Sequence, residues 1–278
     1  MIDLSRVSAR SLAGRALRAP LRLVPGGLVV PVLQGRLRGA RWIVGSSTHG
    51  CWLGCYEATH QVTYARLVRC GMTVYDLGAH VGFYTLLFSR LVGPVGVVHA
   101  FEPVPRNISY LKRHLRLNGA KNVRVQECAV TRQTGTVAFD SSSGVSTGRV
   151  VPCTAPEMNQ VPAVSLDDFI YARGHESPDL IKMDIEGGET DVLAGMSRLL
   201  AERLPVLLVS VHGSSRWREC MVALASAGYT LRDLHGMPAR LDAARDDLIA
   251  LPPGGVDDAL RHRTRPGWRP SSSEMASI

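Results

Sequence analysis

The sequence predicts an α/β fold, a mostly parallel sheet covered by helices on both faces. Three observations carry this expectation. From Met72 onward, short apolar runs alternate with segments in which leucines recur at helical spacing. Repeated strand–helix units of this kind bury a parallel sheet between two helical layers. The 278 residues are 45% hydrophobic and 20% charged, which supplies one sizeable core and excludes wholesale disorder.

The first 71 residues are expected to form an N-terminal extension and cap segment. Arg6, Arg10, Arg15, Arg18 and Arg22 alternate with leucines, and an apolar stretch follows from Leu28 to Leu33. Pro20, Pro25, Gly26, Gly27 and Pro31 interrupt it, unlike the unbroken apolar region of a secretory signal or a membrane span. The arginines and leucines do not separate onto two faces of a helical wheel, so membrane contact through this segment is not favoured.

The domain proper is expected over residues 72–252. A buried strand runs from Met72 to Leu77 and ends in a glycine loop; Phe83, Leu86, Leu87 and Leu91 then mark a helix. Val95 to Phe101 is the next strand, stopped by Glu102-Pro103, and Ile108, Leu111 and Leu115 form one face of a second helix. Asn118-Gly119 ends that helix, and Val123 to Glu127 is a third strand. Gly135 to Phe139 is a short strand, Ser141 to Gly148 a loop, and Thr154 to Val164, with Pro156 and Pro162, an irregular stretch. The alternation resumes with a strand at Leu180 to Met183 and one helix carrying Val192, Leu193, Met196, Leu199 and Leu200. A strand at Val206 to Val211, a helix on Trp217, Met221 and Leu224, and a last strand at Leu248 to Leu251 complete it. Residues 253–278, rich in Pro, Gly, Ser and Arg, read as a disordered tail.

The formal charge is +8, yet very few of the basic residues are Lys and none alternate with aromatics as in a nucleic-acid groove. Nucleic acid is therefore not expected as a partner. The six cysteines lack the dense spacing of a disulfide scaffold and fit a reducing, cytoplasmic setting. Cys51 and Cys55 have no second pair to complete a metal site.

Ligands of doubly wound sheets sit beyond the carboxyl ends of the strands, so the residues ending each strand are the candidate site. The first strand ends in Asp76-Leu-Gly78-Ala79-His80-Val-Gly82. Its glycines let backbone approach a ligand closely. Asp76 would repel a pyrophosphate and suits a ligand bearing an ammonium, such as the methionine part of S-adenosylmethionine. The second strand ends in Glu102, a carboxylate able to accept both ribose hydroxyls. The third carries Lys182-Met-Asp184-Ile-Glu186-Gly-Gly-Glu189, and the next ends in Ser210-Val-His212. An alcohol attacks a sulfonium methyl poorly without a base or a metal. Asp184, Glu186 and His212 supply either. Glu189, opening a helix, is equally suited to interaction with the helix dipole.

Taken in order, Asp76-Leu-Gly-Ala-His-Val-Gly82, Phe101-Glu-Pro-Val-Pro105, Asn118, Ser165-Leu-Asp-Asp168 and Lys182 to Glu189 resemble the FkbM-family methyltransferases, with Tyr56-Glu57 matching a pair ahead of the first strand. The likeness runs from about Trp42 to Leu251. It implies the class I methyltransferase (Rossmann-like) fold, S-adenosyl-L-methionine as donor and O-methylation of a saccharide or related natural product. It also implies donor binding by Asp76, Gly78, Ala79, His80, Gly82, Glu102 and Asp184, and an adenine pocket of backbone groups around Cys128 and Ala129. Two positions depart from the family pattern: His80 stands where Asn is usual, and Ser210 where an acid is frequent. Without that acid a cation shell is less complete, so the expected chemistry uses no metal, with His212 as the base titrating near the ordinary 6–7. A non-catalytic donor-binding protein and a nicotinamide-dependent oxidoreductase are the competing readings; the missing third glycine and Asp76 speak against the latter. The acceptor is expected to be a carbohydrate-like small molecule, and the sequence is silent on oligomeric state.

Overall fold

A computed structural model of the chain describes residue 11 and residues 19–140, 149–151, 159–202, 205–241 and 247–253. Arg6, Arg10, Arg15 and Arg18, the expected Ser141–Gly148 loop, and the expected tail from residue 254 lie outside them.

The chain opens with a short antiparallel ribbon, β1 (Val29–Pro31) and β2 (Arg41–Ile43), then α1 (His49–Leu53) and α2 (Ala58–Leu67). The alternating units follow as β3 (Thr73–Leu77), α3 (Phe83–Val92), β4 (Val97–Phe101), α4 (Pro105–Leu117) and β5 (Val123–Gln126). Four short strands come next: β6 (Ala129–Val130), β7 (Gly135–Asp140), β8 (Arg149–Val151) and β9 (Asn159–Val164). The second half runs β10 (Leu180–Met183), α5 (Glu189–Ala194), α6 (Ser197–Glu202), β11 (Val206–Ser210), α7 (Ser214–Ser226), β12 (Thr230–Arg232) and β13 (Asp247–Leu251).

Seven strands form one sheet in the order β12-β13-β11-β10-β3-β4-β5, and β6-β9-β7-β8 form a smaller one. Strands β11, β10, β3, β4 and β5 are parallel neighbours, and β13 runs antiparallel between β11 and β12. This is the α/β, class I methyltransferase architecture that the sequence implies. The strands read as continuous apolar runs because both faces are covered. Val74, Val98, Leu180, Leu208 and Ile249 point to one core, and Tyr75, Leu77, Phe101, Ile181, Leu207 and Ala250 to the other. The first core also takes Tyr64, Phe88 and Leu111, from α2, α3 and α4. The second takes Val192, Leu199, Trp217 and Leu224, from α5, α6 and α7. Among the described residues no helix is long and apolar enough to cross a membrane.

The N-terminal segment shares this core. Trp42 of β2 is fully buried and stacks on His114 of α4, ring centroids 3.9 Å apart. Three further features depart from the sequence pattern. The helix expected over Val192–Leu200 is two helices, because the chain breaks at Gly195, where a Cβ would lie 2.3 Å from the Thr131 carbonyl. The stretch expected to be irregular up to Val164 holds strand β9 from Asn159. Its Pro162 is tolerated because β6 pairs only with Ala163 and Val164, leaving an open flank where a missing N–H breaks no ladder. Strand β12, three residues on the sheet edge, was too short to show a period.

His114 joins the two halves of the first core. Its Nε2 accepts the Ile43 N–H at 3.1 Å, so Nδ1 carries the proton and donates to the Val81 carbonyl at 2.7 Å. Burial pushes its pKa down to about 4, and does the same to His99. Groups neutral in the fold but protonated in the unfolded chain withdraw stability as pH falls from their ordinary 6.5 toward 4. Urea titrations should therefore show stability falling over that window, approaching about 1.4 kcal/mol per pH unit for each histidine. A His114→Gln variant should show a shallower slope, and an unchanged slope would refute the assignment.

Candidate active site

The carboxyl ends of β3, β4, β10 and β11 open into a cavity of about 830 Å³, a size suited to a small-molecule ligand. It lies where the chain reverses direction across the sheet, β3 being the strand from which one half builds outward through β4 and the other through β10. The two halves meet at Gly78. Its φ is +74°, and a Cβ there would lie 1.9 Å from the Asp184 carbonyl, so only glycine lets these two strand ends touch. The N–H groups of Gly78 and Ala79 donate to Phe101 O at 3.0 and 2.9 Å, tying the turn to the end of β4.

Glu102 sits under that turn. Its Oε2 accepts the His80 N–H at 2.8 Å, and its Oε1 accepts the Val104 N–H at 3.0 Å and the Asn107 amide at 3.2 Å. Burial pushes its pKa up, opposed by these three donors. The carboxylate still lines the cavity, with lone pairs left for further donors. His80 also lines it, its Nε2 without a hydrogen-bond partner; burial, then Lys182 and Arg106, hold its pKa down to about 4.

Asp76 behaves differently from the sequence expectation. It is fully buried, accepts the Thr85 hydroxyl at 2.6 Å and faces Lys182 Nζ at 3.3 Å. Its carboxylate faces Lys182 inside the protein, with Oδ1 held by charge rather than by a hydrogen bond, and is not among the groups lining the cavity. Gly82 is likewise held away, its backbone against Leu111 of α4. Lys182 instead reaches the cavity wall. Its ammonium donates to Gly78 O at 3.0 Å and lies 3.9 Å from Asp184. Burial works against its charge, but Asp76 and Asp184 prevail and raise its pKa.

Asp184, Glu186 and His212 come together as the sequence proposes. His212 Nε2 lies 3.8 Å from Asp184 Oδ1 and 3.6 Å from Glu186 Oε2, and the three groups offer ligand atoms within 4.8 Å of one another. On the other side of the ring, Nδ1 is 3.0 Å from Oε1 of the buried Glu189. That hydrogen bond, with Glu186 and Asp184 adding to it against desolvation, raises the His212 pKa to about 9. The expected titration near 6–7 is thereby corrected: with three carboxylates around it, the imidazole is charged at neutral pH. Burial, and the repulsion of Asp184 and Glu189, raise the Glu186 pKa, with His212 opposing.

Among the described residues the non-glycine residues with positive φ are Glu57, His80 and Glu186, and all three line this cavity. Such strain gathers where surrounding structure fixes a functional side chain. Cys128 and Ala129, at the start of β6, line the cavity wall. Several lining groups escaped the sequence. Glu57 accepts the Tyr84 hydroxyl at 2.6 Å. His60 Nε2 pairs with Asp247 Oδ2 at 3.0 Å, and Ser210 donates to Asp247 Oδ1 at 3.0 Å. Asp247 stands opposite Ser210 in the β11–β13 register and so returns a carboxylate to the place where Ser210 lacks one. Glu57 was visible only as half of a matched pair, and nothing local marked His60 or Asp247.

Comparison with known proteins shows the family of the chain. The Methyltransferase FkbM domain matches residues 76–236. The chain belongs to the FkbM methyltransferase family. It is 28% identical to the 31-O-demethyl-FK506 methyltransferase FkbM of Streptomyces tacrolimicus, over 59% of this chain and 75% of that one. It is 25% identical to the hexuronic acid methyltransferase AglP of Haloferax volcanii, over 50% and 55% of the two chains. It is also 25% identical to the 2-O-methyltransferase NoeI of Sinorhizobium fredii, over 51% and 65%. The chain thus spans little more than half the length of the archaeal relative. A crystal structure of methyltransferase FkbM from Methylobacillus flagellatus superposes with a TM-score of 0.48 at 20% identity, over 73% of this chain and 55% of that one. The FkbM match covers Gly78, Glu102, Asp184 and His212 but leaves Glu57, His60 and Asp247 outside it.

The Lys182 interaction yields a stability prediction. Lys182→Met keeps the stem's volume but leaves Asp76 buried without its cation, which should cost about 3–5 kcal/mol in urea unfolding. A loss below about 1 kcal/mol, the range of exposed pairs, would show that the pair does not hold the strand ends.

Proposed function

We propose that this protein transfers the methyl group of S-adenosyl-L-methionine to a hydroxyl of a saccharide or related natural product. The observation that carries the reading is one cavity with a glycine turn over Glu102 at one end and the Asp184–Glu186–His212 cluster at the other. The relatives named for a hexuronic acid, for a 2-O-position and for a 31-O-demethyl natural product support the acceptor class.

In this reading the backbone of Gly78, Ala79 and His80 lies along the donor, Glu102 accepts its ribose hydroxyls, and backbone groups at Cys128 and Ala129 border the adenine. Asp184, at the switch point, faces the positive sulfonium. Asp76 contributes indirectly, by holding Lys182. The acceptor lies toward α2, where Tyr56, Phe83 and Tyr84 offer apolar faces and Glu57, His60 and Asp247 offer hydrogen bonds. The protein's main task is to align acceptor oxygen, methyl carbon and sulfur. The Asp184–Glu186–His212 cluster makes the hydroxyl a competent nucleophile.

Two measurements test this. Glu102→Ala should weaken donor binding by about 1.5–3 kcal/mol in calorimetry, the range for hydrogen bonds to a charged group; unchanged affinity in a folded variant would remove the donor assignment. Single-turnover assays against methyl glycosides and uronic acids should find His212→Ala slowed about a hundredfold or more, with donor affinity kept. A fully active variant would reduce His212 to a structural role.

A further inference from the structure

We propose that Asp184, Glu186 and His212 bind a divalent cation of the Mn2+ or Mg2+ class, and that this cation takes the acceptor oxygen. The inference rests on the methyl-transfer reading and specifies how that site activates its hydroxyl.

The geometry of His212 points this way. Its Nε2 looks toward two carboxylate oxygens at 3.6 and 3.8 Å, beyond hydrogen-bond length for either. A cation with ligands at about 2.1–2.4 Å sets neighbouring ligand atoms about 3.0–3.4 Å apart. His212 Nε2 stands a few tenths of an ångström outside that spacing from each carboxylate, and all three ligand atoms lie within 4.8 Å of one another, so side-chain movement alone brings them onto one ion. The opposite ring nitrogen is already committed. Nδ1 is 3.0 Å from Glu189 Oε1, and the same oxygen accepts the Gly187 N–H at 2.9 Å. A buried carboxylate on Nδ1 holds one proton there, and an ion arriving between Nε2 and the other two acids displaces the second proton of the charged ring and takes the Nε2 lone pair, with the carboxylate on Nδ1 as the usual support of a metal-bound histidine. Charge agrees: Asp184, Glu186 and Glu189 converge on one imidazole, while Lys182, nearer Asp76, stands 3.9 Å from Asp184.

One imidazole and two carboxylates on the protein side leave the cavity side of the shell to water and an acceptor hydroxyl. Coordination lowers the hydroxyl's pKa, and its proton leaves to cavity water. The oxygen lone pair then forms the O–C bond as the C–S bond breaks, its electron pair going to sulfur. The products are the methyl ether, the neutral thioether and one proton. Glu189 is a positioning residue here, acting through His212.

The test uses the full chain with S-adenosylhomocysteine and Mn2+ as the probe. Electron paramagnetic resonance of the titration measures affinity, and pulsed spectra report nitrogen coupled to the bound ion. The wild type should bind one Mn2+ with imidazole nitrogen coupling. His212→Gln should lose that coupling, Asp184→Asn should bind at least tenfold more weakly, and Glu189→Gln about 10–100-fold more weakly. No Mn2+ bound by the wild type, or bound Mn2+ without nitrogen coupling, would overturn the proposal, and either result is read on the unmodified protein. Calorimetry of donor binding on the same sample separates the two readings. Donor bound without Mn2+ sinks the cation alone, whereas no donor bound sinks the methyl-transfer reading.

Discussion

A buried ammonium holds the site together. Lys182 reaches across from β10 to the Gly78 carbonyl and the Asp76 carboxylate of the β3 end, with Asp184 beside it. The register aligns Lys182 with Asp76 on adjacent parallel strands. An ammonium taken out of water is tolerated only with such partners, so the charge and the strand ends fix one another. The close approach of Gly78 to Asp184 depends on the same constraint, because any Cβ would force the two strand ends apart. The Gly78 turn and the Asp184 strand end therefore stand at a set distance from one another.

Around that fixed floor, the walls come from separate parts of the chain. The smaller sheet brings Cys128 and Ala129 to one side, and α2 and its approach bring Tyr56, Glu57 and His60 to the other. Thr63 of α2 donates to Leu234 O at 3.2 Å, and His60 pairs with Asp247, so the N-terminal segment is fastened to the β12–β13 end of the sheet. The part matched by the FkbM domain holds the floor, and Tyr56, Glu57, His60 and Asp247, outside that match, line another side of the cavity.

The electrostatics of the cavity follow a gradient set by this architecture. Near Glu102 the surroundings are hydrogen-bond donors, and His80 is kept neutral by burial and by two cations. Near His212 three carboxylates crowd one ring and keep it charged. Two histidines on one cavity thus differ in pKa because one is buried beside cations and the other is hydrogen-bonded and crowded by carboxylates.

By itself the sequence determined the alternation of strands and helices, the two-sided cover of the sheet and the order of strand ends, because apolar period and glycine turns are local properties. It also named Glu102, Asp184, Glu186 and His212, since each ends a strand or follows one directly. Tertiary structure alone decided the rest. Asp76 looked like a ligand group until Lys182, 106 positions later, was seen to occupy it. His212 looked like an ordinary base until Glu189 and its neighbours surrounded it. Asp247 stands in for the acid missing at Ser210 only through an antiparallel pairing across 37 positions of chain. Long-range contacts place charges beside one another, and a charge's neighbours decide its chemistry; local pattern carries no record of them.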